Sequence, residues 1–230
     1  MGETISITAS DGAFSAYLAR PAASPAPSVV VLHEVFGVNS DMRATCNELA
    51  ERGYLALCPD LFWRQEPGVD LYWTEAEWKK GLELYNAYDY DKGLSDIADT
   101  LEAARALHTA SGKAGVMGFC MGGLLTFMTA GRGNADAAVA YYPGGADKHL
   151  DKAAAVSIPM LIHLGEEDEF ISKDAQRQIK EGFAQNSAVK IYSYPGCSHA
   201  FARHTGAHYD PVAAETANNR TWAFFAERLR

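Results

Sequence analysis

A cysteine between spaced glycines is the clearest sign of chemistry in this 230-residue chain. Gly118-Phe-Cys-Met-Gly122 has the form G-x-C-x-G, with the apolar run Ala114–Met117 before it and the apolar run Met121–Thr129 after it. Strand, sharp turn and helix in that order form a nucleophile elbow, which carries its central side chain outward at the apex. Glycine is expected at 118 and 122, because a Cβ at either would collide with the neighbouring element. A thiol of reference pKa about 8.5 needs a base or a positive neighbour to become a thiolate. The helix beginning at Met121 offers partial positive charge below the sulfur. The competing reading of Cys120 is a buried thiol in a glycine-rich turn.

Three further groups lie just past apolar runs that read as strands. Glu34 follows Ser28–His33, Asp168 follows Pro159–Gly165, and His199 follows Val189–Tyr194. In a parallel sheet such positions gather at one edge, where ligands bind. His199 could hold the thiol proton, and a carboxylate would fix its tautomer. Asp168 competes for that role with Glu166, Glu167 and Glu169, any of which could be a solvated loop charge. An oxyanion would meet the backbone N–H of Met121 and one from the loop after the first buried strand, most simply Val35. His33-Glu34 resembles the start of a zinc helix motif, but His33 closes a strand and Gly37 stands where the second histidine belongs, so no metal is expected. Cys197 reads as an inert thiol, with a resolving partner for Cys120 as the alternative. Arg203 alone reads as a surface charge.

These groups need a frame, and the chain supplies strand and helix patterns in alternation. Thr4–Thr8 and Phe14–Leu18 flank Ser10-Asp11-Gly12 as a hairpin. Helices are expected over 41–52 with Ser40 as N-cap, over 94–108, over 172–186 and over 211–230; a strand is expected over 135–142. The segment Leu61–Lys92 differs in kind, carrying three of the four tryptophans and five tyrosines or phenylalanines. It reads either as an excursion lining a pocket or as a helix packed on the core by its rings. With no break in composition and no repeat, the expectation is one α/β domain over 1–230, with a doubly wound, mostly parallel sheet flanked by helices.

Composition narrows the partners. A formal charge of −9 without basic runs argues against nucleic acid. No apolar run approaches the roughly 18–20 residues of a membrane span, and no leader pattern opens the chain. Four widely spaced cysteines without a C-x-x-C pair suit a reducing compartment, so a cytoplasmic location is expected.

Five ordered motifs then carry a resemblance over nearly the whole chain: His33-Glu-Val-Phe-Gly-Val-Asn39, Cys58-Pro-Asp-Leu61, Gly118-Phe-Cys-Met-Gly-Gly123, Gly165-Glu-Glu-Asp-Glu-Phe170 and His199-Ala-Phe-Ala-Arg203. Together they resemble the dienelactone hydrolase (carboxymethylenebutenolidase) family. The resemblance implies an α/β-hydrolase fold, no cofactor, and a Cys120–His199–Asp168 triad, choosing Asp168 over its acidic neighbours. It also implies a resting thiol that is largely neutral and directed at Glu34. A substrate carboxylate bound by Arg203 would displace that glutamate, which then takes the thiol proton. Phe36, Trp78, Tyr85 and Phe170 are the further candidate substrate contacts. One departure stands out. The family pattern expects a second arginine and a tyrosine from the excursion, yet Thr74–Tyr85 has no arginine and only Lys79 and Lys80 as cations. A lysine does not reproduce bidentate carboxylate binding.

The expected function is therefore cysteine-dependent opening of a small anionic lactone or ester through an acyl-thioester, in a monomer or weak homo-oligomer. The nearest alternative is a general carboxylesterase or thioesterase. From a different class, a non-catalytic thiol sensor or ligand-binding module would use Cys120 for oxidation rather than turnover.

Overall fold

A computed structural model describes residues 2–230, side chains at 152–154 excepted. The N-terminal hairpin pairs β1 (Glu3–Ala9) with β2 (Gly12–Ala19) in antiparallel register, Ala9 opposite Gly12. β3 (Ala26–Leu32) is buried at every position, as its unbroken apolar run requires of a strand covered on both faces. It pairs in parallel with β4 (Leu55–Pro59), which pairs antiparallel with β2. The remaining strands are β5 (Ala110–Phe119), β6 (Ala137–Tyr141), β7 (Met160–Gly165) and β8 (Val189–Tyr194). The sheet has eight strands in the order β1-β2-β4-β3-β5-β6-β7-β8, and β6, β7 and β8 run parallel. With helices between its strands, this is the α/β class the alternation implied.

Among the described residues six α-helices accompany the strands: α1 (Ser40–Glu51), α2 (Glu75–Asn86), α3 (Tyr90–Ala106), α4 (Met121–Arg132), α5 (Lys173–Gly182) and α6 (Pro211–Leu229). A 3₁₀ segment spans Ala146–Ala155. None of the described helices is long and apolar enough to cross a membrane. Two helix starts depart from the expectation for one reason, an Asx cap. Asn39, not Ser40, caps α1, accepting from the Met42 N–H at 3.2 Å. Asp89 caps α3 through the Lys92 N–H at 3.1 Å, so that helix begins four residues before Leu94. A cap of this kind contributes about 1 kcal/mol.

The backbone groups into two units, Met1–Val116 and Met117–Arg230. In the first, the loop after β3 is strapped to the start of the aromatic segment. Val38 N–H donates to Val69 O at 3.0 Å, and Leu71 N–H donates to Phe36 O at 2.9 Å. Gly37 adopts φ +74 with the Val69 carbonyl against it, a position where a side chain would meet both strain and collision. The second unit holds the elbow and the loops after β6, β7 and β8.

Candidate active site

Cys120 follows β5 directly and sits at φ 54, ψ −114, outside the regions an L-residue prefers. Such a conformation costs about 1–3 kcal/mol and persists only when its surroundings enforce it. Here the enforcement is visible. The Cys120 N–H donates to Tyr141 O at 3.1 Å, and Cys120 O accepts from Leu124 N–H at 3.0 Å. A Cβ on Gly118 would run into the backbone of Gly122, and one on Gly123 into Tyr141 O and Pro143 Cα. Strand and helix thus meet with no room for a side chain at either position. The Cys120 side chain caps no N–H of α4, which leaves the sulfur available at the apex. We expect Gly123→Ala to destabilise the fold by about 3 kcal/mol, because the atoms it meets are backbone and cannot rotate away. A urea midpoint equal to wild type would contradict this.

Two more non-glycine residues with positive φ share the unit: Tyr142, immediately after β6, at 36° and Ala200, immediately after His199, at 61°. Strain at Cys120, Tyr142 and Ala200 therefore borders the same cluster, since the Tyr142 ring lies 4.9 Å from the His199 ring. Phe170 packs its edge on the His199 ring at the same centroid distance, yet is 55% exposed. A phenyl ring that covers a buried histidine and still faces solvent is suited to meet a ligand.

Among the acids after β7, Asp168 lies against the histidine. His199 Nδ1 lies 2.8 Å from Asp168 Oδ2, in a pair whose side chains are 4% and 0% exposed. Asp168 Oδ1 accepts from the Phe170 N–H at 2.8 Å and the Ile171 N–H at 3.0 Å, so three hydrogen bonds fix the carboxylate. Gln176 holds the turn that presents it, donating to Gly165 O at 3.1 Å and Ile171 O at 2.8 Å. The neighbouring acids do other things. Glu167 pairs with Lys173 in solvent, while Glu169 accepts from the His199 backbone N–H at 3.2 Å. His208 lies against both the His199 carbonyl, at 3.0 Å, and Glu169, at 3.3 Å, so this couple grips the histidine backbone from both sides. Neither Gln176 nor the Glu169–His208 couple was legible beforehand. The one available hint was a polar residue on the inward face of an otherwise solvated helix.

With Nδ1 on Asp168, Nε2 is the nitrogen left for chemistry, and it makes no regular hydrogen bond among the described residues. Burial pulls the His199 pKa down, but Cys120 and then Asp168 outweigh it and raise it to about 10. The electrostatics thus favour the proton on the ring beside the sulfur. Met121 opens α4, whose first-turn N–H groups lack intrahelical partners and are suited to an oxyanion.

Other expected positions fall as follows. Arg203 is half-buried in the turn after His199, its N–H donating to Ala200 O at 3.2 Å. Cys197 is buried, and burial pushes its thiol pKa up, away from reactivity. In the first unit Glu34 and Val35 are buried. The Phe36 ring is buried between Trp73 and Trp78, at 4.8 and 5.7 Å, so much of the aromatic segment packs against the loop after β3. Trp78 and Tyr85 are half-buried on α2, and Gly81 lets that helix rest on the Val35 carbonyl. His33 is a structural histidine: Nε2 accepts from the Leu61 N–H at 3.0 Å, which leaves Nδ1–H to donate to Glu34 O. Burial lowers its pKa. Among the described residues no His/Cys/Asp/Glu group is arranged to hold a metal.

An elbow between β5 and α4, an acid after β7 and a histidine after β8 define an α/β-hydrolase. Residues 14–229 match the model of the dienelactone hydrolase family. Carboxymethylenebutenolidase of Pseudomonas putida is 39% identical over 226 residues, spanning 97% of this chain and 96% of its own. A protein of Azospirillum brasilense provisionally given the same name is 44% identical over 228 residues, 98% of each. A crystal structure from Klebsiella pneumoniae, provisionally titled a dienelactone hydrolase, superposes with TM-score 0.87 at 28% identity, covering 99% of this chain and 98% of that one. The chain belongs to the dienelactone hydrolase family and is a carboxylic ester hydrolase.

Proposed function

We propose that this hydrolase opens a small carboxylate-bearing lactone or ester through an acyl-thioester on Cys120. The observation that carries the reading is the strained Cys120 apex beside a His199 whose pKa is raised by that sulfur and by Asp168. The thiolate attacks the ester carbonyl, forming an S–C bond and an oxyanion that the Met121 N–H and, by family, the Val35 N–H receive. Collapse breaks the C–O bond to the leaving oxygen, which takes the proton from the His199 imidazolium. Water then attacks the thioester while His199 accepts its proton; the C–S bond breaks, and acid product and thiolate–imidazolium pair are restored.

Arg203 is assigned to the substrate carboxylate, and Glu34 to the proton step before attack: displaced by that carboxylate, it takes the thiol proton and returns it to the sulfur once product leaves. The relatives' name supports a dienelactone-type substrate. The aromatic segment favours a substrate anchored mainly by one arginine. Its only arginine, Arg64, is bound to Asp11 and Asp96, and Lys80 is bound to Glu66. Simple esters with one carboxylate are therefore within the proposed range.

The test compares ring opening of dienelactone with hydrolysis of a neutral aryl ester in wild type and Arg203→Ala. KM for dienelactone is expected to rise about 10- to 100-fold, reflecting about 1.5–3 kcal/mol for a charged hydrogen bond. Neutral-ester KM should hold within about twofold. An equal effect on both substrates would remove the assignment of Arg203. Absence of any turnover, with Cys120 still readily alkylated or oxidised, would favour the thiol-sensor alternative.

A further inference from the structure

At the other ends of β7 and β8 from Asp168 and His199 lies a cleft of about 400 Å³, within the range of small-molecule sites. Its walls include Leu161, Lys190, Tyr192, Arg220, Phe224 and Arg228. The one acid in the lining, Glu227, lies 3.1 Å from Arg228 and is spent there. Lys190 and Arg220 have no carboxylate partner among the described residues. That is unusual in a chain with 29 acidic residues against 20 lysines and arginines.

Arg220 is also held in position. Its Cζ lies 4.2 Å from the Tyr192 ring centroid and 5.4 Å from that of Tyr194, and Nη1 donates to the Tyr194 hydroxyl at 3.1 Å. Tyr194 is itself fixed, because its hydroxyl meets His163 Nδ1 at 2.8 Å, and His163 Nε2 meets Thr221 Oγ1 at 3.1 Å. Burial, followed by Arg220, pushes the His163 pKa down to about 3, so this network adds no second cation. The result is a stacked, oriented guanidinium using one of its five N–H donors within the chain, beside a lysine and an apolar wall.

We propose that this cleft binds a small organic carboxylate with a flat apolar body. Arg220 grips the carboxylate through paired charge-assisted hydrogen bonds, Lys190 adds attraction, and the body lies against Phe224 and Leu161. Neither cation belongs to the hydrolytic machinery, so the site stands apart from the ester-hydrolysis reading.

Calorimetric titration with benzoate tests it on the intact chain, using wild type, Arg203→Ala, Lys190→Gln and Arg220→Gln. Arg203→Ala sets aside binding at the hydrolytic site. The benzoate event that survives in that variant is expected to weaken about tenfold on adding Arg220→Gln and about threefold on adding Lys190→Gln. Acetate, which lacks the body, and benzyl alcohol, which lacks the charge, should each bind about tenfold more weakly than benzoate. Unchanged affinity in both cation variants overturns the proposal. So does loss of all benzoate binding in Arg203→Ala, or no saturable binding to wild type. Lys190 is exposed on β8, so its variant keeps the test decisive if Arg220→Gln fails to fold.

Discussion

Alanine in place of Cys120 is expected to abolish lactone and ester turnover, lowering kcat by roughly 10⁵-fold or more. The magnitude follows from what the sulfur does. In the proposed route it is the atom that bonds to the carbonyl carbon, and no second thiol can replace it. Cys46 and Cys58 are fully buried in the first unit, and burial raises the pKa of both Cys58 and Cys197. Alanine is also better suited to the fold than most replacements, because no side-chain hydrogen bond of Cys120 supports α4. Ring opening followed by absorbance, together with mass spectrometry of an acyl adduct on the wild-type chain, provides the measurement. Wild-type turnover by Cys120→Ala, or an adduct on any other residue, would sink the acyl-thioester route.

The second large effect is expected from Asp168→Asn, with kcat reduced by about 10³- to 10⁴-fold. The carboxylate is fully buried, and two backbone N–H groups on Oδ1 aim its other oxygen at His199. Asparagine keeps the shape, but its amide either loses the acceptor that holds Nδ1–H or turns the imidazole into the wrong tautomer. The same substitution is visible without substrate. Burial lowers the affinity of His199 for a proton, while Cys120 first and Asp168 next raise its pKa to about 10. The folded ring therefore binds its proton more tightly than the unfolded one, whose ordinary value is 6.5. Its contribution to stability is complete below about 6.5 and is lost as pH climbs through about 10. Removing Asp168 draws the upper limit of that window down. Nitrogen-15 spectra of the imidazole across this range, in wild type and Asp168→Asn, read the shift directly. A wild-type ring that titrates near 6.5 and does not respond to the substitution would contradict the raised His199 pKa.

Much of this was legible from residue order, for a physical reason. Strand ends in an α/β sheet are marked by where apolar runs stop, and functional groups sit one to five residues beyond. The candidates Cys120, Asp168 and His199 each lie at such a position, and all three fall in the second unit, with His199 against Asp168. Val189–Tyr194 agrees with β8 residue for residue. The starts of α1 and α3 differ from the hydrophobic period because an Asx side chain reaches three residues along the backbone, a local contact that period does not register.

What residue types and spacing determined by themselves was the kind of chemistry: a thiol at a glycine-flanked apex, with an acid and a histidine later in the chain. Only the tertiary structure decided which of the acids near β7 serves His199, since distance and burial distinguish Asp168 from Glu167 and Glu169 and adjacency in sequence does not. Tertiary structure also decided that Cys120 is strained, that Phe170 covers the histidine, and that Arg220 is stacked in a cleft whose one acid is paired with Arg228. Each of these depends on groups brought together from distant parts of the chain. Their separation in sequence carries no trace of a distance of a few ångströms in space.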